Sequence, residues 1–137
     1  METELISTTI DRNRIFLDAL AGFRGSIVDA RIAYPEVLHL DVQDEAGKLW
    51  QFATQDASWS PSDPDALRGK SILGADVNWD TGDLQCELTG GIAFTVIPAP
   101  QEAPDDPPNW ELFMPDGQLL DFGPGGRWRL GDANTLD

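Results

Sequence analysis

The chain repeats itself, and the repeat has the period of a β-strand. GSIVDARIAY (25–34) is echoed 45 residues on by GKSILGADVNW (69–79), where Leu73, Ala75, Val77 and Trp79 take the places of Val28, Ala30, Ile32 and Tyr34. In each copy apolar and polar residues alternate, which is the pattern of a half-buried strand. The following segments correspond as well. Leu38, Leu40 and Val42 are expected to face inward with His39 and Asp41 outward, and Leu84, Cys86 and Leu88 stand in their places. After the turn signal Asp44-Glu45-Ala46-Gly47, Trp50, Phe52 and Thr54 match Ile92, Phe94 and Val96. Each unit, 26–54 and 69–97, therefore reads as a three-stranded meander. Two copies are too few for a solenoid, so the pattern predicts two sheets packed face to face or the halves of a partly open barrel.

What surrounds the repeats completes a mainly β, α+β chain of one domain, as its 137 residues allow. Residues 7–21 read as the one substantial helix. Ser7, Thr8 and Thr9 offer N-cap oxygens, Ile10, Phe16, Leu17, Leu20 and Phe23 recur at near-helical spacing, and Gly22 stands ready as a stop. Between the repeats, 55–66 (QDASWSPSDPDA) reads as a polar loop. Residues 98–108 hold five of the ten prolines, too few backbone donors for a strand, and read as a loop closing the second meander. Residues 110–130 then form a hairpin over Pro115-Asp116-Gly117, a turn at Gly123 to Gly126 and a last strand, and 131–137 is a fraying tail.

Charge excludes several partners. Nine Lys and Arg stand against 24 Asp and Glu, a formal net charge of −15. Nucleic acid and anionic membranes are bound through cationic side chains, so neither is expected as a partner. Acids at Glu2 and Glu4 and the interruptions at Asp11, Arg12 and Arg14 do not resemble a secretory signal, and no apolar run is long enough to span a bilayer. A cytoplasmic protein is the expectation. Oligomeric state is left open by the sequence.

The deficit is also uneven. Residues 71–126 contain no Lys or Arg and ten acids: Asp76, Asp80, Asp83, Glu87, Glu102, Asp105, Asp106, Glu111, Asp116 and Asp121. In the first meander, pairing Tyr34 with Leu38 would set Arg31 against Asp41 as an ion pair across the strands. In the second, pairing Trp79 with Leu84 would set Asp76 against Glu87, like charge against like, with Asn78, Asp80 and Asp83 on the same outward side. Such a hairpin calls for something positive: a basic protein surface or a divalent cation. The string 76–87 has oxygen ligands at the first, third, fifth and twelfth positions of a calcium loop, yet carries Thr81 where that loop turns on glycine.

The segment from Leu67 to Leu130 resembles a family of small uncharacterised actinobacterial proteins. It carries Trp110, Glu111, Leu112, Pro115, Asp116, Gly117 and the run Gly123 to Gly126 in the pattern W-E-L-x-x-P-D-G … G-P-G-G, and Gly90-Gly91 where the family has an Asp-Gly turn. The resemblance implies a compact β-rich fold and no activity. Small acidic proteins of this style are often immunity or antitoxin partners, an analogy of composition only.

Catalysis finds little to work with. His39 has no Ser or Cys beside it and alternates with core residues, opposite Ala33; Cys86 lies on inward parity as a small core side chain. One Cys and one His exclude a disulfide within the chain and a Cys/His zinc site. The run Gly123 to Gly126 lacks the Lys-Ser/Thr of a phosphate loop. The expectation is therefore an acidic binding protein without enzymatic activity or cofactor. It would cover a basic partner through Asp76, Asn78, Asp80, Asp83 and Glu87, with Trp59 and the proline-rich loop as further contacts. The alternative is a small-molecule- or cation-binding β domain with its pocket near Trp50, Trp79, Trp110 and Trp128.

Overall fold

The computed structural model describes residues 14–33, 37–55, 57–99, 108–123 and 127–132. Ten antiparallel strands form one sheet that does not close into a barrel, in the order β10-β9-β8-β3-β2-β1-β5-β6-β7-β4. The first meander is β1 (Gly25–Ala33), β2 (Val37–Gln43) and β3 (Leu49–Thr54). The second is β5 (Ser71–Val77), β6 (Leu84–Leu88) and β7 (Ile92–Pro98). Both expected meanders are thus present. The closing unit, β8 (Trp110–Phe113), β9 (Gln118–Phe122) and β10 (Trp128–Asp132), extends the first meander from β3. Gly131 and Asp132 pair with Leu119 and Gln118, so β10 takes in two residues read from the sequence as tail.

The two meanders meet at a narrow junction. β1 and β5 pair only through Gly25 with Ile72 and Ser26 with Ser71. A shift of 45 carries Ser26 onto Ser71, so the operation that maps one meander on the other maps this pair onto itself, a local two-fold axis. Beyond it the inward faces share one core. Phe52 of β3 meets Phe94 of β7 edge to face at 6.1 Å, and Leu38, Leu40, Val42, Leu84, Cys86 and Leu88 are all buried, as their alternation predicts.

Residues 14–21 form the helix α1, which lays Phe16 and Leu20 into the core and is followed by Phe23, also buried. Gly22 ends it, with an N–H donated to the Ala19 carbonyl. Leu17 is exposed, and the positions 7–13 lie outside the described residues. No helix among the described residues is long and apolar enough to cross a membrane.

Three expectations fail for identifiable reasons. Val28 is 53% exposed, because a β-bulge between Ile27 and Asp29 inserts it as an extra residue and leaves Ile27 inward in its place; Ala30 is buried as expected, whereas Ile32, two residues on at the same parity, is 49% exposed for a reason the bulge does not supply. The second meander has the same bulge 45 residues later, between Ile72 and Gly74, and turns Leu73 outward. Finally, the presumed loop 55–66 contains a strand, β4 (Ala57–Ser60), paired with β7, and a 3-10 turn at Pro64–Ala66 leading to the buried Leu67. Its alternation, with Trp59 packed against the core and Ser58 and Ser60 out, is strand-like, but its serines and nearby prolines read as loop.

Candidate functional site

The point at which each hairpin closes decides which side chains meet on the outer faces. In the first meander Ile32, not Tyr34, lies opposite Leu38, so Asp29 lies opposite Asp41 and Arg31 opposite His39, two positions from the register expected. The ion pair survives the shift on the diagonal: Arg31 Nη1 lies 2.8 Å from Asp29 Oδ2 and 3.3 Å from Asp41 Oδ2. Arg68 adds a third contact, 3.6 Å from Asp29 Oδ1. The Arg31 hydrogen bond holds the Asp29 carboxyl below the usual carboxylate range.

The second meander lacks this neutralisation. Val77 pairs with Leu84, Asp76 with Gln85 and Gly74 with Glu87, so the expected face-to-face contact of Asp76 with Glu87 does not form. The cause is the turn: β5 and β6 close at Val77 and Leu84, where Trp79 and Leu84 were expected, so the register differs by two residues. Both carboxylates nevertheless line one outward hollow of about 590 Å³, with Gly74, Gln85, Ala93 and Thr95 between them. Asp76, Asp80 and Glu87 are exposed and Asp83 is half-buried. Among the described residues no Lys or Arg forms an ion pair with any of the four.

The turn between β5 and β6 is built by Asn78. Its Oδ1 accepts from the N–H groups of Asp80 (2.9 Å) and Thr81 (3.3 Å), and its backbone N–H donates to the Asp83 carbonyl at 2.9 Å. The amide expected as part of the binding surface is thus a turn former. Gly82, at φ 81°, is packed so that a Cβ would stand 3.1 Å from Pro98 Cγ and 3.7 Å from a Phe122 ring carbon. The string 76–87 is therefore a β-hairpin, and no three metal-binding side chains gather among the described residues.

Three of the four Trp expected near a pocket come together around Phe16. Trp79, Trp110 and Trp128 lie 5.3, 6.2 and 5.4 Å from its ring, with Phe122 at 5.5 Å. Trp110 is fully buried and stacks on Phe122 at 5.3 Å. Trp50 stands apart, against Phe23 and Phe52's neighbourhood, with its indole N–H donated to Asp44 Oδ2 at 2.9 Å. Trp59, named as a further contact, donates its indole N–H to the Ser62 carbonyl. Positions 100–107 of the proline-rich segment lie outside the described residues.

The two residues with catalytic chemistry lie in different meanders, His39 in β2 and Cys86 in β6. His39 is half-buried and faces Arg31 and Ala53; burial, then the Arg31 charge, push its pKa down. Burial pushes the Cys86 thiol up to about 12, so it stays protonated at neutral pH.

Comparison with protein-family models, with curated proteins and with solved structures gives no match for this chain.

Proposed function

We propose that this is a non-enzymatic acidic binding protein whose second meander docks on a basic protein surface. The immunity or antitoxin type, a small protein covering the cationic site of a toxin, is the form of that activity we favour. One observation carries the reading. Two meanders of the same design differ in how their outer carboxylates are balanced: Asp29 and Asp41 are neutralised by Arg31 and Arg68, whereas Asp76, Asp80, Asp83 and Glu87 have no ion-pair partner among the described residues. Uncompensated charge raises the field outside the protein, which speeds association with an oppositely charged surface and sets its orientation. The hollow that Asp76 and Glu87 line also includes Gly74 and Ala93, small residues that leave room for a long basic side chain.

Affinity capture from the source cells with the wild type and with an Asp76→Lys, Glu87→Lys variant tests this. A basic protein is expected with the first and not with the second. Recovery of the same proteins by both, or of none by either, refutes it.

A further inference from the structure

The junction of the two meanders opens into a second hollow, of about 600 Å³, which shares no lining residue with the acidic one. β1 and β5 hold each other through two residue pairs and then part, and Gly22 and Gly25 put no side chains into the gap. The volume lies within the range of small-molecule sites. Three side chains of its lining are free to meet a ligand. Arg24 donates its Nε–H to the Leu73 carbonyl at 2.9 Å, which fixes the guanidinium and leaves its Nη groups unused; in a chain with 24 acids, it has no ion pair among the described residues. Ser26 and Ser71 are direct partners across the strands, so their side chains stand side by side on one face, and neither hydroxyl has a hydrogen bond among the described residues. The other pole of the hollow is acidic. Asp44 is locked into the wall: its Oδ1 accepts from the N–H groups of Ala46 and Lys48 and its Oδ2 from the Trp50 indole, each at 2.9 Å. The Trp50 hydrogen bond, with those from the backbone, holds its carboxyl below the usual carboxylate range. Glu45 beside it lines the same hollow and has no ion pair among the described residues.

We propose that this hollow binds a small zwitterion of one or two amino-acid residues, its carboxylate held by Arg24 with the Ser26 and Ser71 hydroxyls and its ammonium by Glu45. A guanidinium meets a carboxylate in a planar two-point contact, and the hydroxyls supply donors to the remaining lone pairs. Charge selects the class. A phosphate or a dicarboxylate would face Asp44 and Glu45 with one arginine to offset them, and an amine without a carboxylate would leave Arg24 unanswered. A ligand carrying both signs answers both poles. The site is independent of the acidic surface on the second meander and of any partner docked there.

Calorimetry with L-alanine and with L-alanyl-L-alanine tests it, the tighter of the two being measured again as its N-acetyl and its C-terminal amide forms, each of which deletes one charge. The zwitterion is expected to bind and to shift the Trp50 indole N–H resonance, since that group is bonded to Asp44 in the wall. Each blocked form should bind at least about tenfold more weakly, the loss of one charge-assisted contact. Arg24→Gln should abolish the preference over the amide, and Glu45→Gln the preference over the N-acetyl form; both side chains are exposed, so the fold does not depend on them. Three results overturn the proposal: no saturation by either probe at about 10 mM, equal binding of the zwitterion and a blocked form, or a zwitterion affinity that Arg24→Gln leaves unmoved. Heat of binding with an unmoved Trp50 resonance places the ligand elsewhere and overturns it as well.

Discussion

Single positions in this protein are constrained mainly where the backbone comes close to itself. Gly25 opens β1 at φ 138°, and a Cβ there would stand 2.2 Å from the Gln43 carbonyl oxygen. No side chain can yield at that spot, because the obstacle is backbone. Gly25→Ala should therefore destabilise by at least ~3 kcal/mol in urea denaturation, beyond the usual range for a single methyl. His39 makes a prediction with a sign. Its pKa in the fold lies below the ordinary 6.5, so the unfolded chain takes up a proton first as pH falls. That contribution to stability is complete above about pH 6.5 and is lost as pH drops through the folded value. His39→Gln should lose less stability than the wild type between pH 7.5 and 5.5, as measured by denaturant midpoints; an identical loss would place the acid sensitivity elsewhere.

At the scale of elements, the meanders were readable from alternation and their exact register was not. A bulge adds one residue without marking it, and Val28 and Leu73 are residues that any pattern assigns to a core. The pairing of Arg31 with Asp41 was legible because a long guanidinium reaches across the two-residue slip; the opposition of Asp76 and Glu87 was not, because it needed strict register. β4 escaped notice because serine and proline outweigh two alternating apolar residues in any composition count. The helix is legible from Phe16, Leu20 and Phe23, and its role becomes plain only in three dimensions. Phe16 touches rings from the second meander and from the closing unit, so α1 helps to fasten those parts where the sheet does not close. Phe16→Ala should cost ~3–5 kcal/mol, as other buried Phe truncations do, and should raise the exposure of Trp79 to fluorescence quenchers. A loss near that of a surface substitution would mean the helix is not the fastening.

For the molecule as a whole, the net charge of −15 is unevenly placed: residues 1–70 set seven Lys and Arg against twelve acids, and residues 71–126 set none against ten. Exposed like charges repel, and the repulsion is screened by salt. Replacing Asp80 and Glu87 with Asn and Gln should therefore raise Tm at low ionic strength, with the gain shrinking in 0.5 M salt, while it weakens capture of any basic partner. Stability and binding would then move in opposite directions at the same two positions, which is what distinguishes a working surface from an inert one. No change in Tm with salt for either protein would show that the acids do not feel one another.

The Ser26–Ser71 junction gives this division a history. A strand edge that pairs with its own image is the edge through which two copies of one short chain could associate, and joining those copies end to end would preserve the contact. Once joined, the halves no longer have to remain alike. One lineage of side chains can keep its arginines and hold the scaffold, while the other, with Lys70 as its one remaining cation, is released to specialise in what lies outside the molecule.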